Sequence, residues 1–158
     1  MLSAITSVQD IPEYSSGRIS IIIPAYNEEN RIKPVLNELV SFIQKNGFSW
    51  NIIVSIDGND GTLNLVEELS EKYPFISTVK GSGRSGKGNA IKRALGVADG
   101  DFVILMDADN AIPIGCILSN INLIEKYDVI NFDRYKSKGN SIPFLRRVVG
   151  LVKKWVQS

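Results

Sequence analysis

Four uninterrupted apolar runs do most to limit how this chain can fold: "ISIII" (19–23), "NIIVSI" (51–56), "DFVILMD" (101–107) and "DVINF" (128–132). None alternates polar with apolar. A strand with one face in water alternates, whereas a run that is apolar throughout must be covered on both faces, as in parallel sheets. "ISTV" (76–79) is a fifth, weaker candidate. Parallel strands need long crossover connections, and the intervals between the runs carry helical spacing. Ile32, Val35, Leu36, Leu39, Val40 and Ile43 form one stripe, with Gly47 as its stop. Leu63, Val66 and Leu69 form a second after Thr62, which reads as an N-cap. Ile91, Ala94, Leu95 and Ala98 suggest a third helix, and Ile117, Ile121, Leu123 and Ile124 a fourth. The pattern predicts an α/β three-layer sandwich with a mostly parallel central sheet and right-handed crossovers. Ligands of such sheets gather beyond the carboxyl ends of the strands, so the strand-end loops are where function is expected.

The 158 residues suit one domain with a sizeable core. A single cysteine, Cys116, and no histidine exclude an intrachain disulfide and a Cys/His zinc site. This usage predicts a reducing, cytoplasmic setting. The formal charge of +1 hides an asymmetry: residues 134–158 hold seven Lys or Arg and no acid, leaving −6 on residues 1–133. "MLSAITSVQD" lacks the basic start and long apolar run of a signal peptide, and no run approaches the ~18 apolar residues of a membrane span. The expected organisation is an N-terminal extension (1–17), a ligand-binding domain (18–135), and a basic loop with a C-terminal amphipathic helix (136–158).

The first strand exits through "PAYNEEN", 24–30, which reads equally as a turn with acids at a helix N-terminus. The second exits through "SIDGNDGT", 55–62. Asx turns account for that loop, yet Asp57 at the strand end could also accept hydrogen bonds from a nucleobase or a ribose. After "FVILM" comes "DADN". Asp107 and Asp109, two apart in extended chain, should point the same way, and adjacent carboxylates favour a cation between them. Such hard oxygen ligands suit Mg²⁺ or Mn²⁺, whose shells substrate phosphates commonly complete. The alternative is one carboxylate capping the next helix and the other facing water.

"KGSGRSGKGNA" (80–90) satisfies two nucleotide-loop patterns in part. A triphosphatase loop needs Ser or Thr after its lysine, and here that position is Gly88. Gly81, Gly83 and Gly86 give the spacing of a dinucleotide loop, with Asp107 about 20 residues on. That motif usually follows a strongly apolar strand, which "ISTV" is not. The remaining reading is a cationic, glycine-rich loop whose Arg84 and Lys87 reach a diphosphate across the acidic pair.

Taken together, "SIIIPAYNEENRI", "SIDGNDGT", "GSGRSGKGNAI" and "GDFVILMDADNA" resemble, in order and spacing, family 2 glycosyltransferases of the GT-A fold, over about residues 18–150. Within that family "ENRIKPVL", "GKGNAIKRAL" and "DADNA" are most similar to dolichyl-phosphate glucosyltransferases; mannose synthases carry glutamine where this chain has Ala111. The resemblance implies a nucleotide-sugar site. Pro24, Ala25, Tyr26 and Glu28 would line the nucleoside and Asp57 would contact the base. Arg84 and Lys87 would lie by the diphosphate, Asp107 and Asp109 would hold Mg²⁺ or Mn²⁺, and Arg134 would grip the acceptor phosphate. One departure is that Ile56 precedes Asp57 where the family has a second aspartate and a longer turn. The implied reaction moves glucose or mannose from UDP-glucose or GDP-mannose to a polyprenyl (dolichyl) phosphate, inverting the anomeric centre. An ionised lipid phosphate needs no general base, so the lack of histidine is no obstacle. No nucleic-acid partner is expected.

At about 100° per residue, Phe144, Leu145, Val148, Val149, Leu151, Val152, Trp155 and Val156 fall within an arc of about 160°. Arg146, Arg147, Lys153 and Lys154 fall on the other side. This predicts an interfacial helix over 143–157, placing the chain on the cytoplasmic face of a membrane. Family members continue past this point with a further acceptor-side motif. The alternative expectation is therefore a catalytically silent nucleotide-sugar-binding or membrane-associated module that needs a partner or a further C-terminal part.

Overall fold

The chain runs β1 (Ile19–Tyr26), α1 (Ile32–Asn46), β2 (Asn51–Asp57), α2 (Thr62–Lys72), β3 (Ile76–Lys80), α3 (Lys87–Val97), β4 (Phe102–Leu105), α4 (Ile114–Leu118), β5 (Val129–Asn131) and β6 (Gly150–Lys153). This is a computed structural model, and it describes residues 17–109, 113–120, 123, 126–132 and 150–153. The strands form one sheet in the order β3-β2-β1-β4-β6-β5. β1 to β4 are mutually parallel, and β6 runs antiparallel between β4 and β5.

The uninterrupted apolarity of β1, β2 and β4 follows from burial on both faces. Ile21, Ile23, Ile52, Val54 and Ile104 join the larger core cluster with the buried stripes of α1 and α2 and with Ile114 and Ile117 of α4. Ile22, Ile53 and Val103 meet Ala94 and Ala98 on the opposite face. Small residues there let α3 lie close to the sheet. The weak apolarity of "ISTV" also has a cause: β3 is one of the sheet's two edge strands, with only Ile76 fully buried. Gly47 ends α1 as its spacing predicted, at φ 66°, where its N–H reaches the Gln44 carbonyl.

Four expectations need correction. Thr62 is the first residue of α2 rather than its cap; its backbone N–H donates to Asp60 Oδ1 (3.1 Å), so Asp60 supplies the acceptor. On α3, Ala90 and Ala94 are buried while Leu95 is 40% exposed, so the helix turns its alanines inward. β4 stops at Leu105, two residues before Asp107, although the Met106 N–H still donates to the Ile22 carbonyl (2.9 Å). A continuous helix over 143–157 does not form, because 150–153 are β6. The reason is pairing: β4 offers an open backbone edge, and the segment bonds to it in the register Phe102↔Lys153 to Ile104↔Leu151. The rest of 143–157 lies outside the described residues, as do 1–16, Ile121, Ile124 and Arg134. Among the described residues no helix is long and apolar enough to cross a membrane.

Sequence order places the site. The chain steps outward from β1 to β2 to β3, then returns to lay β4 on the other side of β1. The loops after β1 and β4 therefore diverge, leaving a crevice above their carboxyl ends.

Candidate nucleotide-sugar site

The exits of β1 and β2 are stitched together. Tyr26 and Asp57 are register partners at the ends of their strands. Asn27 follows with φ 53°, a left-handed turn that asparagine tolerates, and its Oδ1 accepts from the Asn59 N–H (3.1 Å). A Cβ at Gly58 would overlap that amide oxygen. The Glu29 N–H donates to Asp60 Oδ2 (3.1 Å), and the Gly61 N–H donates to Glu29 Oε2 (3.1 Å). The Thr62 hydroxyl donates to Asp60 Oδ1 (2.6 Å) and accepts from the Glu28 N–H (2.9 Å). Asn27, Glu29 and Asp60 are thus consumed by scaffolding, which answers the sequence's ambiguity for these polar residues. Burial pushes the Asp60 carboxyl up, but the Thr62 hydroxyl and the surrounding backbone N–H groups outweigh it and hold it below its ordinary value.

Glu28 instead faces a cavity of about 320 Å³ at the crevice. Its carboxylate pairs with the Arg31 guanidinium (2.7 Å), anchoring α1's entry beside the opening. The lining comprises Pro24, Ala25, Tyr26, Glu28, Arg31, Asp57, Arg84, Gly86, Lys87, Ala90, Asp107, Ala108 and Asp109. Every expected site residue that the structure describes is there; Arg134 lies outside the described residues. Residues from four strand ends or loops, up to 85 positions apart in sequence, thus share one concavity.

Charge is distributed across this cavity. Asp107 and Asp109 lie just past β4, Asp109 in a turn rather than in the extended chain expected, and both still line the cavity. Lys87, the first residue of α3, forms an ion pair with Asp107 through Nζ and Oδ1. Both side chains are partly exposed, at 50% and 33%, so the pair is exchangeable rather than locked. The Arg84 guanidinium sits over the Tyr26 ring, 5.2 Å from its centroid, which holds a cation at the rim.

Asp57 differs from these: it is only 4% exposed. Its Oδ2 accepts from the Ser85 N–H (3.1 Å) and hydroxyl (2.6 Å), and its Oδ1 accepts from Arg93 Nη2. Burial alone pushes this carboxyl up; the Ser85 hydrogen bonds and the Arg93 guanidinium together outweigh it and hold it below the usual carboxylate range. Ser85 and Arg93 were not singled out in the sequence. A signal was present, for Arg93 is a cation on the α3 face that otherwise turns Ala90 and Ala94 to the sheet.

The donor set suits a divalent ion of the Mg²⁺ or Mn²⁺ kind. Two carboxylates border open space, and no group of three or more His, Cys, Asp or Glu ligands exists among the described residues. Such ions take one or two protein carboxylates and complete their shell with water and substrate phosphates. The glycine-rich loop resolves into separate tasks: Gly83 (φ 78°) and Gly86 (φ 87°) turn the backbone where other residues would be strained, whereas Gly81 leaves room for its neighbours.

The sequence model described as Glycosyl transferase family 2 matches residues 20–151. Among similar proteins, a dolichyl-phosphate beta-glucosyltransferase of Trichomonas vaginalis is 32% identical over 84% of this chain and 45% of its own. The dolichyl-phosphate beta-glucosyltransferase of Dictyostelium discoideum is 36% identical over 59% of this chain and 31% of its own. The chain spans less than half the length of these relatives. In three dimensions it is similar to a mannosyltransferase from Pyrobaculum calidifontis solved with GDP-Man and Mn²⁺, with a TM-score of 0.63 and 21% identity over 87% of this chain and 44% of that one.

Proposed function

The chain belongs to glycosyl transferase family 2 and has its GT-A fold, and from that premise we propose that it binds a nucleoside diphosphate hexose and transfers the hexose to a polyprenyl phosphate. The observation that carries this reading is a single cavity at the sheet's switch point, with Asp107 and Asp109 on β4's side and Arg84 and Lys87 on the glycine-rich loop's side. The names of the relatives supply the acceptor class, dolichyl phosphate.

Pro24, Ala25 and Tyr26 form the wall against which the nucleoside lies. Asp57 supplies the polar contact to the base. Three of its roughly four acceptor positions already go to Ser85 and Arg93, leaving one on Oδ1. A single acceptor matches the one N–H of a uracil imide better than the two-donor edge of guanine, so UDP-glucose is the favoured donor over GDP-mannose. Asp107 and Asp109 would hold Mg²⁺ or Mn²⁺. When bound, the ion offsets negative charge on the diphosphate.

Transfer begins with an oxygen of the acceptor phosphate, already ionised at neutral pH, bonding to the anomeric carbon from the side opposite the donor. The bond from that carbon to the diphosphate oxygen breaks, its electron pair leaves with the nucleoside diphosphate, and the configuration inverts. Arg84 and Lys87 face the charge that grows on the leaving group, and interactions strengthening with that charge lower the barrier. Lys87 reaches the diphosphate by giving up Asp107. Arg134 takes the acceptor-phosphate role that the family resemblance implies. A polyprenyl acceptor locates the reaction at a membrane surface, here its cytoplasmic face.

Calorimetric titration with UDP-glucose and with GDP-mannose, each with and without Mn²⁺, tests the proposal. The expected result is Mn²⁺-dependent binding, tighter for UDP-glucose. Binding of neither sugar nucleotide would overturn it.

A further inference from the structure

The glycine-rich loop is tied down by a network that neither the family resemblance nor the charge pattern assigns. We infer that Ser85 and Arg93 form a latch that clamps loop 81–86 onto Asp57, and that they are positioning residues setting where Arg84 and Lys87 meet the donor's diphosphate. This rests on the reading that the cavity holds a nucleotide sugar.

The network joins three elements. Asp57 ends β2, Ser85 lies in the loop before α3, and Arg93 lies within α3. The Ser85 hydroxyl spends its one hydrogen on Asp57 Oδ2 (2.6 Å) and accepts from Arg93 Nη1 (2.7 Å). Arg93 Nη2 donates to Asp57 Oδ1, which closes the circuit. The Asp57 side chain is 4% exposed and that of Arg93 25%. At such burial an unpaired carboxylate is costly, so each member depends on the others.

Gly81 gives independent support. Its N–H donates to the Ile56 carbonyl (2.9 Å), bringing the loop's start against β2. A Cβ at Gly81 would overlap Asp57 Oδ1 and lie 2.6 Å from Arg93 Cζ. Unlike Gly83 and Gly86, Gly81 has no positive φ, so what it provides is space for this ion pair. Within G-x-G-x-x-G the first glycine therefore serves a carboxylate rather than a pyrophosphate.

The latch matters because of its neighbours in sequence. Arg84 immediately precedes Ser85 and Lys87 follows two residues later, and both line the cavity while Ser85 does not. Fixing the Ser85 backbone through its N–H and its hydroxyl fixes the origin of both cationic side chains. Asp57, which faces the nucleoside end of the cavity, is thereby coupled to the groups that face the diphosphate.

The test compares UDP and UMP binding, in Mn²⁺, by the full chain and by Arg93→Met, Arg93→Lys, Ser85→Ala and Gly81→Ala. UDP affinity should fall at least tenfold more than UMP affinity in Arg93→Met and Gly81→Ala, because both nucleotides share the Asp57 contact to the base while only UDP also loses the displaced diphosphate contacts. Arg93→Lys and Ser85→Ala should fall between. Adding Lys87→Ala to Arg93→Met should cost less than Lys87→Ala costs alone. A role in folding only would reduce the competent fraction and leave the UDP/UMP ratio unchanged; an unchanged ratio in both Arg93→Met and Gly81→Ala overturns the latch. Hydrogen exchange at the Ser85 amide, without nucleotide, separates this failure from failure of the donor reading. If the parent binds no nucleotide, the donor reading falls, yet exchange at least tenfold faster in Arg93→Met still supports the clamp and equal exchange refutes it.

Discussion

Asp57 accepts hydrogen bonds from the Ser85 N–H, the Ser85 hydroxyl and Arg93 before any ligand arrives, and its carboxyl is held below its ordinary value although burial opposes this. The sign of the linkage follows. A carboxyl with a folded pKa below its unfolded value of about 3.9 contributes stability that is complete above that value and is lost as pH falls through the folded one. Asp57→Asn should therefore destabilise the protein by about 1–3 kcal/mol at pH 7, by removing a charge-assisted acceptor from Arg93. Urea midpoints of parent and variant should converge below about pH 4. Asp60, also held low, is present in both proteins and cancels from the difference. A gap that stays constant down to pH 3 would show that the stabilisation is not carried by this charge. Lys87 allows an opposite pair of shifts. Its ammonium pairs with Asp107, so under the proposed function it would compete with a metal there and assist a diphosphate. Lys87→Met should bind Mn²⁺ alone more tightly, while its UDP affinity should drop by about 10- to 100-fold, the equivalent of one charge-assisted contact. Paramagnetic titration and calorimetry read the two separately, and movement in the same direction would count against the competition.

At the scale of elements, legibility of the parallel strands tracked the number of faces each buries, whereas β5, read as an apolar run covered on both faces, is an edge strand that buries only Ile130. β1, β2 and β4 bury both faces and were readable as unbroken apolar runs; β3 buries little beyond Ile76 and gave a faint signal. α1 was readable to its final glycine because its buried stripe has one cause, the sheet beneath. Removing part of that stripe with Leu36→Ala should cost about 2–5 kcal/mol in chemical denaturation, as for a fully buried leucine in a close-packed core. A loss under about 1 kcal/mol would mean that the stripe does not carry the helix's docking. β6 was not legible, because "GLVK" satisfies a helical arc and a strand equally, and the decision belongs to the backbone edge of β4. The cavity-lining Asp57, Arg84, Lys87, Asp107 and Asp109 were legible from their places at strand ends and in the glycine-rich loop, whereas Glu29 and Asp60 at the same exits bond within the scaffold. Ser85 was not, and Arg93 showed only as a cation on the alanine face of α3, since their partner lies 28 and 36 residues away and only folding brings it near.

The cavity lies between two groups of strand-end loops, linked beneath it by the β1–β4 pairing and by the Ser85 and Arg93 bonds to Asp57. On one side stand the β1 and β2 exits, stitched by Asn27, Glu29, Asp60 and Thr62; on the other stand the β4 exit and the start of α3. A nucleotide sugar with its metal would bridge the two, so occupancy should be visible as stability of the whole fold. At a donor concentration about 100 times Kd, linkage adds about 2.7 kcal/mol. For a domain of this size each kcal/mol moves Tm by about 2–4 °C, which predicts a rise of about 5–10 °C with UDP-glucose and Mn²⁺ together. Asp107→Ala alone should melt close to the unliganded parent, because the Lys87 pair is half exposed and contributes about 0–1 kcal/mol, and Asp107→Ala combined with Asp109→Ala is read against its own unliganded melting point. The double variant should keep at most a small rise with UDP-glucose alone, through Asp57, Arg84 and Lys87, and should gain nothing when Mn²⁺ is added. The metal's contribution is thereby isolated as a difference between two melting curves of one folded protein. If the double variant gained the same Mn²⁺-dependent rise as the parent, the ion would be held elsewhere than by Asp107 and Asp109.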